Sequence, residues 1–161
     1  MIENEIVRVF AILHKTGENA TMQEDFLNLL KEEFTLPDVD VRTYSPLALA
    51  YIGDGIFDII IRTIIVGQGN SGSHDLHVQV SKYVNAGAQA NMIETLLPEL
   101  DEEEIAVYKR GRNAKTATTA KNATIQDYRK ATGFEALIGY LYLQARMERI
   151  IDLLKIGLKK R

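Results

Sequence analysis

Between Ser45 and Val66 the chain reads SPLALAYIGDGIFDIIIRTIIV, its most apolar run, and that run carries three charges. Asp54, Asp58 and Arg62 are spaced four apart, so on a helix they form one stripe along one face. Ile, Leu, Ala, Phe and Tyr fill nearly every other position, which predicts a helix buried almost all round. An unpaired carboxylate in such surroundings costs on the order of several kcal/mol. Asp54, flanked by Gly53 and Gly55, therefore needs compensation, and a metal ion and a structural ion pair are the two candidates. Leu47 to Val66 is long enough to span a bilayer, but three charges and two central glycines favour a buried helix, so no membrane partner is expected.

A chain of 161 residues fits one domain with a small appendage. It contains no Cys, which excludes disulfides and thiolate metal sites and fits a reducing, cytoplasmic compartment. The start, MIENEIVRVF, lacks the pattern of a signal peptide. Charge is divided unevenly: residues 1–104 carry a net of −12 and residues 105–161 a net of +9, together the −3 of the whole chain. A basic half on an acidic protein points to nucleic acid as partner, because local potential guides association more than total charge does; a solvated basic face is the plainer alternative.

Apolar spacing predicts two short amphipathic helices within residues 1–36, the second opened by a capping box of Thr21 and Glu24. The polar connector Leu36–Tyr44, with Pro37, separates an N-terminal helical extension, residues 1–40, from a main domain, residues 41–161. Ser45 as N-cap and Pro46 at the first helical position start the central helix, and GQGNSG ends it. A second helical region follows from His74 to Leu97, stopped by Pro98. His74 and His77 form an H-x-x-H pair, but no third ligand stands near, which disfavours zinc. Asp101 caps a further helix, and the chain closes with a helical region from Asp127 onward that a weak break at Gln144–Met147 divides. No strand pattern is found, so the fold class expected is all-α.

Residues 109–124, KRGRNAKTATTAKNAT, form the most unusual loop. Lys109, Arg110, Arg112, Lys115 and Lys121 stand there without an acid among them, separated by Gly, Asn (Asn113 included), Thr and Ala. Cations interleaved with short polar side chains and exposed amides suit phosphate contact.

Glu135 is the only acid between Asp127 and Glu148, and it too lies in an apolar segment. If its helix crosses that of Asp54, the two carboxylates can share a divalent ion of the Mg²⁺ type. Alternatively Asp54 pairs with Arg62 or a helix end, and Glu135 with Arg129 or a loop amide. On the residues alone the two readings stand even.

At these positions the chain resembles the ribonuclease III family. LAYIGDGIF (Leu49–Phe57) is similar to that family's signature helix with its metal-binding Asp, and GFEALIGYLYL (Gly133–Leu143) to the helix with its metal-binding Glu. With HDLH at 74–77, KRGRNAK at 109–115 and YRKATGFEALIGYLYL at 128–143, the bacterial Mini-ribonuclease III subfamily is the nearer likeness. The resemblance covers about residues 45–155 and leaves residues 1–44 as an addition. It implies a helical ribonuclease III-type endonuclease domain acting as a homodimer in the cytoplasm. It implies Mg²⁺-dependent cleavage of double-stranded RNA that matures the ends of the 23S ribosomal RNA precursor. Asp54 is then the catalytic, metal-binding Asp and Glu135 the metal-binding Glu, with Lys109, Arg110, Arg112, Asn113, Lys115 and Lys121 on the RNA. No separate double-stranded-RNA-binding domain is expected, and a ribosomal protein is an allowed further partner. Larger ribonucleases III carry two more carboxylates where this chain has Ala50 and Thr132. That departure motivates a rival: a non-catalytic double-stranded-RNA-binding or ribosome-assembly protein on the same fold.

Overall fold

The computed structural model describes residues 22–115 and 124–159, with side chains from Phe26 onward in the first stretch. The first predicted N-terminal helix, the Thr21/Glu24 capping box and Lys121 fall outside what it describes. The chain divides into two compact units, Met1–Asp38 and Val39–Arg161. In the first, helix α1 (Met22–Glu33) ends in a left-handed Thr35, φ 51°, and the Leu36 N–H returns to the Lys31 carbonyl at 2.9 Å.

Regular structure among the described residues of the second unit is helical throughout. A 3-10 turn at Val41–Thr43 leads into α2 (Pro46–Gln68), then α3 (Ser73–Val84), α4 (Ala86–Leu96), α5 (Glu102–Arg112), α6 (Ile125–Leu143) and α7 (Met147–Lys159). Local chemistry accounts for most of the boundaries. The Ser45 hydroxyl accepts from the Ala48 N–H at 3.1 Å ahead of Pro46, as the sequence predicts. The region read as one helix from His74 to Leu97 is in fact two. Asn85 adopts an extended conformation between them, and its side chain accepts from the Ala88 N–H, capping α4. The predicted break after Leu143 is a turn with Ala145 in the left-handed region, φ 57°.

The expectation of an α2 buried on nearly every side is not met. Its buried residues, Leu49, Ala50, Gly53, Phe57, Ile61 and Ile65, make a single stripe at three- and four-residue spacing. Tyr51 on another face is 85% exposed. The helix enclosed on almost all sides is α6, whose residues 131–142 are buried apart from the partly exposed Glu135. The difference is positional: α2, α4, α5 and α7 all pack on α6, whereas α2 has its main packing partner on one side. Where α2 meets α6 the backbones touch. A Cβ on Gly53 would lie 1.8 Å from the Glu135 carbonyl oxygen, and one on Gly139 would lie 2.0 Å from that of Leu49. Phe57 and Phe134 meet edge to face beside this crossing, ring centroids 5.0 Å apart.

Glu104 secures α7 to the start of α5. It completes a capping box with Asp101, and its fully buried carboxylate accepts from the Arg149 Nε and Nη2 at 2.8 Å each. Burial raises the Glu104 pKa, but the Arg149 hydrogen bonds, the Asp101 N–H and the two arginine charges outweigh it, so the net direction is down.

Candidate active site

Gly53 determines what can happen at Asp54. Because glycine lets α2 rest on the Glu135 carbonyl, the next residue, Asp54, stands at the same crossing as the one carboxylate in the buried span of α6, close enough for its charge to act on that carboxyl. Glu135 is pushed up to about 7, first by burial and then by the charge of Asp54. Asp54 lies on a more open part of α2, and its pKa is raised as well, by partial desolvation and by the charge of Asp58.

No ion pair relieves them among the described residues. Arg62, the partner considered for Asp54, binds Asp58 instead, Nε to Oδ2 at 2.6 Å. Arg129, considered for Glu135, lines a pocket with Arg112, Asn113, Gln126 and Lys130. Asp58 and Arg62 therefore satisfy each other, and the unsatisfied pair is Asp54 with Glu135.

A third residue belongs to this site that sequence reasoning missed. Gln89, on α4, is 1% exposed, and its Nε2 has no hydrogen-bond partner of full geometry among the described residues. A buried donor left without a partner costs about 1–3 kcal/mol. Its amide faces Glu135 and acts on that carboxyl in the direction of a donor, favouring the charged form against burial and the Asp54 charge. The available signal was a lone Gln among Ala86, Gly87, Ala88 and Ala90, a small-residue stretch with no other polar group between the Asn85 cap and Asn91.

Two neighbouring carboxylates without a cationic partner, beside an orphaned amide donor, suit a hard divalent cation. No cluster of three or more His, Cys, Asp or Glu groups occurs among the described residues. A cation held by Asp54 and Glu135 therefore keeps most of its coordination positions for water or substrate oxygens, as Mg²⁺ does. Ala50 packs in the apolar cluster with Leu49, Val107, Ala136 and Tyr140. Thr132 is buried and its hydroxyl donates to the Tyr128 carbonyl at 3.0 Å. Neither position supplies a ligand of carboxylate type.

The basic segment begins in the last turn of α5. Lys109, Arg110, Asn113 and Lys115 are exposed and Arg112 is half-buried. Arg110 donates to the Tyr44 carbonyl at 3.1 Å, Arg112 donates to the Asn113 Oδ1 at 3.2 Å, and the Arg112 guanidinium lies 5.6 Å from the centre of the Tyr108 ring. Arg129 and Lys130 of α6 share the Arg112–Asn113 pocket and enlarge the basic surface beyond the residues expected from sequence.

The class of this helical domain follows from its sequence: residues 47–146 match the family model described as Ribonuclease III domain. The relatives narrow the class. The Mini-ribonuclease 3 of Clostridium tetani is 48% identical over 128 residues, 79% of this chain and 83% of that protein. That of Brevibacillus brevis is 48% identical over 78% of this chain and 91% of its own length, and that of a Thermoanaerobacter species 42% identical over 86% and 97%. A crystal structure of a Fusobacterium nucleatum protein superposes with a TM-score of 0.69 at 34% identity, covering 76% of this chain and 98% of that one. The chain belongs to the Mini-ribonuclease 3 family.

Proposed function

We infer that this chain is an endoribonuclease that hydrolyses phosphodiester bonds of double-stranded RNA, with Mg²⁺ held by Asp54 and Glu135. The observation that carries the reading is the unrelieved pair of carboxylates at the Gly53 crossing. The name shared by the relatives supports the hydrolase class. A bound Mg²⁺ supplies an activated water and stabilises charge on the phosphate under attack. The protein's own part is to present two carboxylate oxygens from opposed rigid helices and to grip the duplex nearby. Lys109, Arg112, Asn113 and Lys115 contact phosphates, reading A-form shape rather than base sequence; Lys121 belongs to the same run and Arg110 adds charge from its tether on Tyr44.

Two copies assemble as a homodimer, one site per strand. In support, Leu47, Tyr51, Ile59 and Val66 are exposed on one side of α2, where Gly55 leaves open space. Residues 1–40 stand as an N-terminal extension to the catalytic domain 41–161. The cytoplasm is its place, the ends of the 23S ribosomal RNA precursor its substrate, and a ribosomal protein an admissible helper. No helix among the described residues is long and apolar enough to cross a membrane.

The test is product analysis of a duplex RNA incubated with and without Mg²⁺. Fragments with 5′-phosphate and 3′-hydroxyl ends that form only with the metal are the expected result. An intact duplex that binds in a salt-sensitive manner selects the rival, a non-catalytic RNA-binding protein, which the replacement of two carboxylates by Ala50 and Thr132 favours.

A further inference from the structure

We propose that Gln89 is a positioning residue of the cation site: when a cation is bound, its Nε2, orphaned in the metal-free protein, donates to one oxygen of the Glu135 carboxylate and leaves the other turned toward the ion. The inference rests on the reading of Asp54 and Glu135 as the cation-holding pair. Three observations carry it. Gln89 is 1% exposed, so bulk water does not satisfy its amide. Its Nε2 is the one side-chain polar atom among the described residues that is buried without a hydrogen bond. Its amide stands within hydrogen-bonding reach of the Glu135 carboxylate, which has no cationic partner among the described residues.

The geometry has a reason in this chain. A carboxylate that ligates through one oxygen needs something to fix the other, and ligand-orienting groups of this kind are usually hydrogen-bonded neighbours. At positions 50 and 132 the chain offers a methyl group in the core and a hydroxyl occupied by Tyr128. The buried donor without a partner among the described residues comes from a third helix, α4, which packs on α6 and which Asn85 caps. With only two carboxylates available, orienting one of them from α4 recovers part of the constraint that extra ligands would provide.

The experiment measures Mn²⁺ binding by electron paramagnetic resonance, with the melting temperature of each metal-free protein recorded alongside. Four full-length proteins are compared: wild type, Glu135→Gln, Gln89→Met and Gln89→Asn. Gln89→Met keeps the length and volume while removing the donor; Gln89→Asn keeps the amide but withdraws it by one methylene. The expected result is that Glu135→Gln abolishes binding and that both Gln89 variants weaken it by about tenfold. The metal-free Gln89→Met protein should melt no lower than wild type, since it loses an orphaned donor. Wild-type affinity in either folded Gln89 variant, with binding lost in Glu135→Gln, overturns the role of Gln89 alone. Undiminished binding in Glu135→Gln overturns the site itself and Gln89's role with it.

Discussion

At the scale of single residues, the acids of the α2–α6 crossing separate by what surrounds them. Asp58 has Arg62 at 2.6 Å and is an ordinary helix-surface pair. Glu135 has burial and a neighbouring charge, which push its pKa up to about 7. A carboxyl whose folded pKa lies above its unfolded value of about 4.5 favours the folded metal-free protein below that value, and the contribution is lost as pH rises through about 7. Glu135→Gln should therefore stabilise the metal-free protein by on the order of 2 kcal/mol at pH 8 and by little at pH 4.5, measured by chemical denaturation. For the same reason Mn²⁺ affinity should fall as pH drops below 7, because proton and cation compete for the carboxylate. Glu104 behaves in the opposite sense. Its arginine-bound carboxylate is held below the usual range, so it supports the fold above the unfolded pKa and fails in acid. Glu104→Ala should cost about 3 kcal/mol, leaving Arg149 without its carboxylate, and denaturant unfolding at neutral pH measures it. As candidates, Asp54 and Glu135 stand out in the sequence because charge in an apolar run is conspicuous there. Gln89 does not, since an uncharged amide among alanines gives no sign of being buried until α4 is seen against α6.

At the scale of elements, the crossing of α2 and α6 is the structural device on which the site depends. Gly53 and Gly139 each face a carbonyl of the other helix at a distance no Cβ tolerates. Gly139→Ala should force the helices apart and destabilise the protein by about 3 kcal/mol or more by overpacking; circular dichroism melts and Mn²⁺ binding, both reduced, check it. Helix start signals were readable from Ser45, Pro46 and Asp101 because capping is local chemistry. The split at Asn85 leaves no mark in the hydropathy pattern: the apolar spacing runs on through it, and only the Asn85 backbone conformation ends one helix and starts the next. The central helix is α6 and not α2, on which the sequence expectation centres. Hydropathy marks α2 as the most apolar element, yet enclosure is decided by how many neighbours pack on a helix, and α6 has them on all sides.

At the scale of the whole molecule, the proposed homodimer would set one carboxylate pair against each strand of a duplex substrate. The apolar residues that α2 leaves in solvent, Tyr51 and Ile59 foremost, lie next to Asp54 along the same helix. Tyr51→Glu with Ile59→Glu should convert a dimer into a folded monomer in sedimentation equilibrium, and a dimer that survives the double change would place the interface elsewhere. The fold class and the family were legible from motifs spread over residues 45–155, because the positions that build the crossing are the ones that the sequence makes conspicuous. The central claim, that the carboxylates at this crossing perform hydrolysis, is tested most directly by one comparison. Wild type and Asp54→Asn, both verified as folded and of equal oligomeric state, are assayed for cleavage of a duplex RNA in Mg²⁺. The account predicts at least a hundredfold loss of cleavage rate, on the order of what removing one electrostatic contributor to a transition state costs, with duplex binding retained. Cleavage at the wild-type rate by the folded Asp54→Asn protein would contradict it.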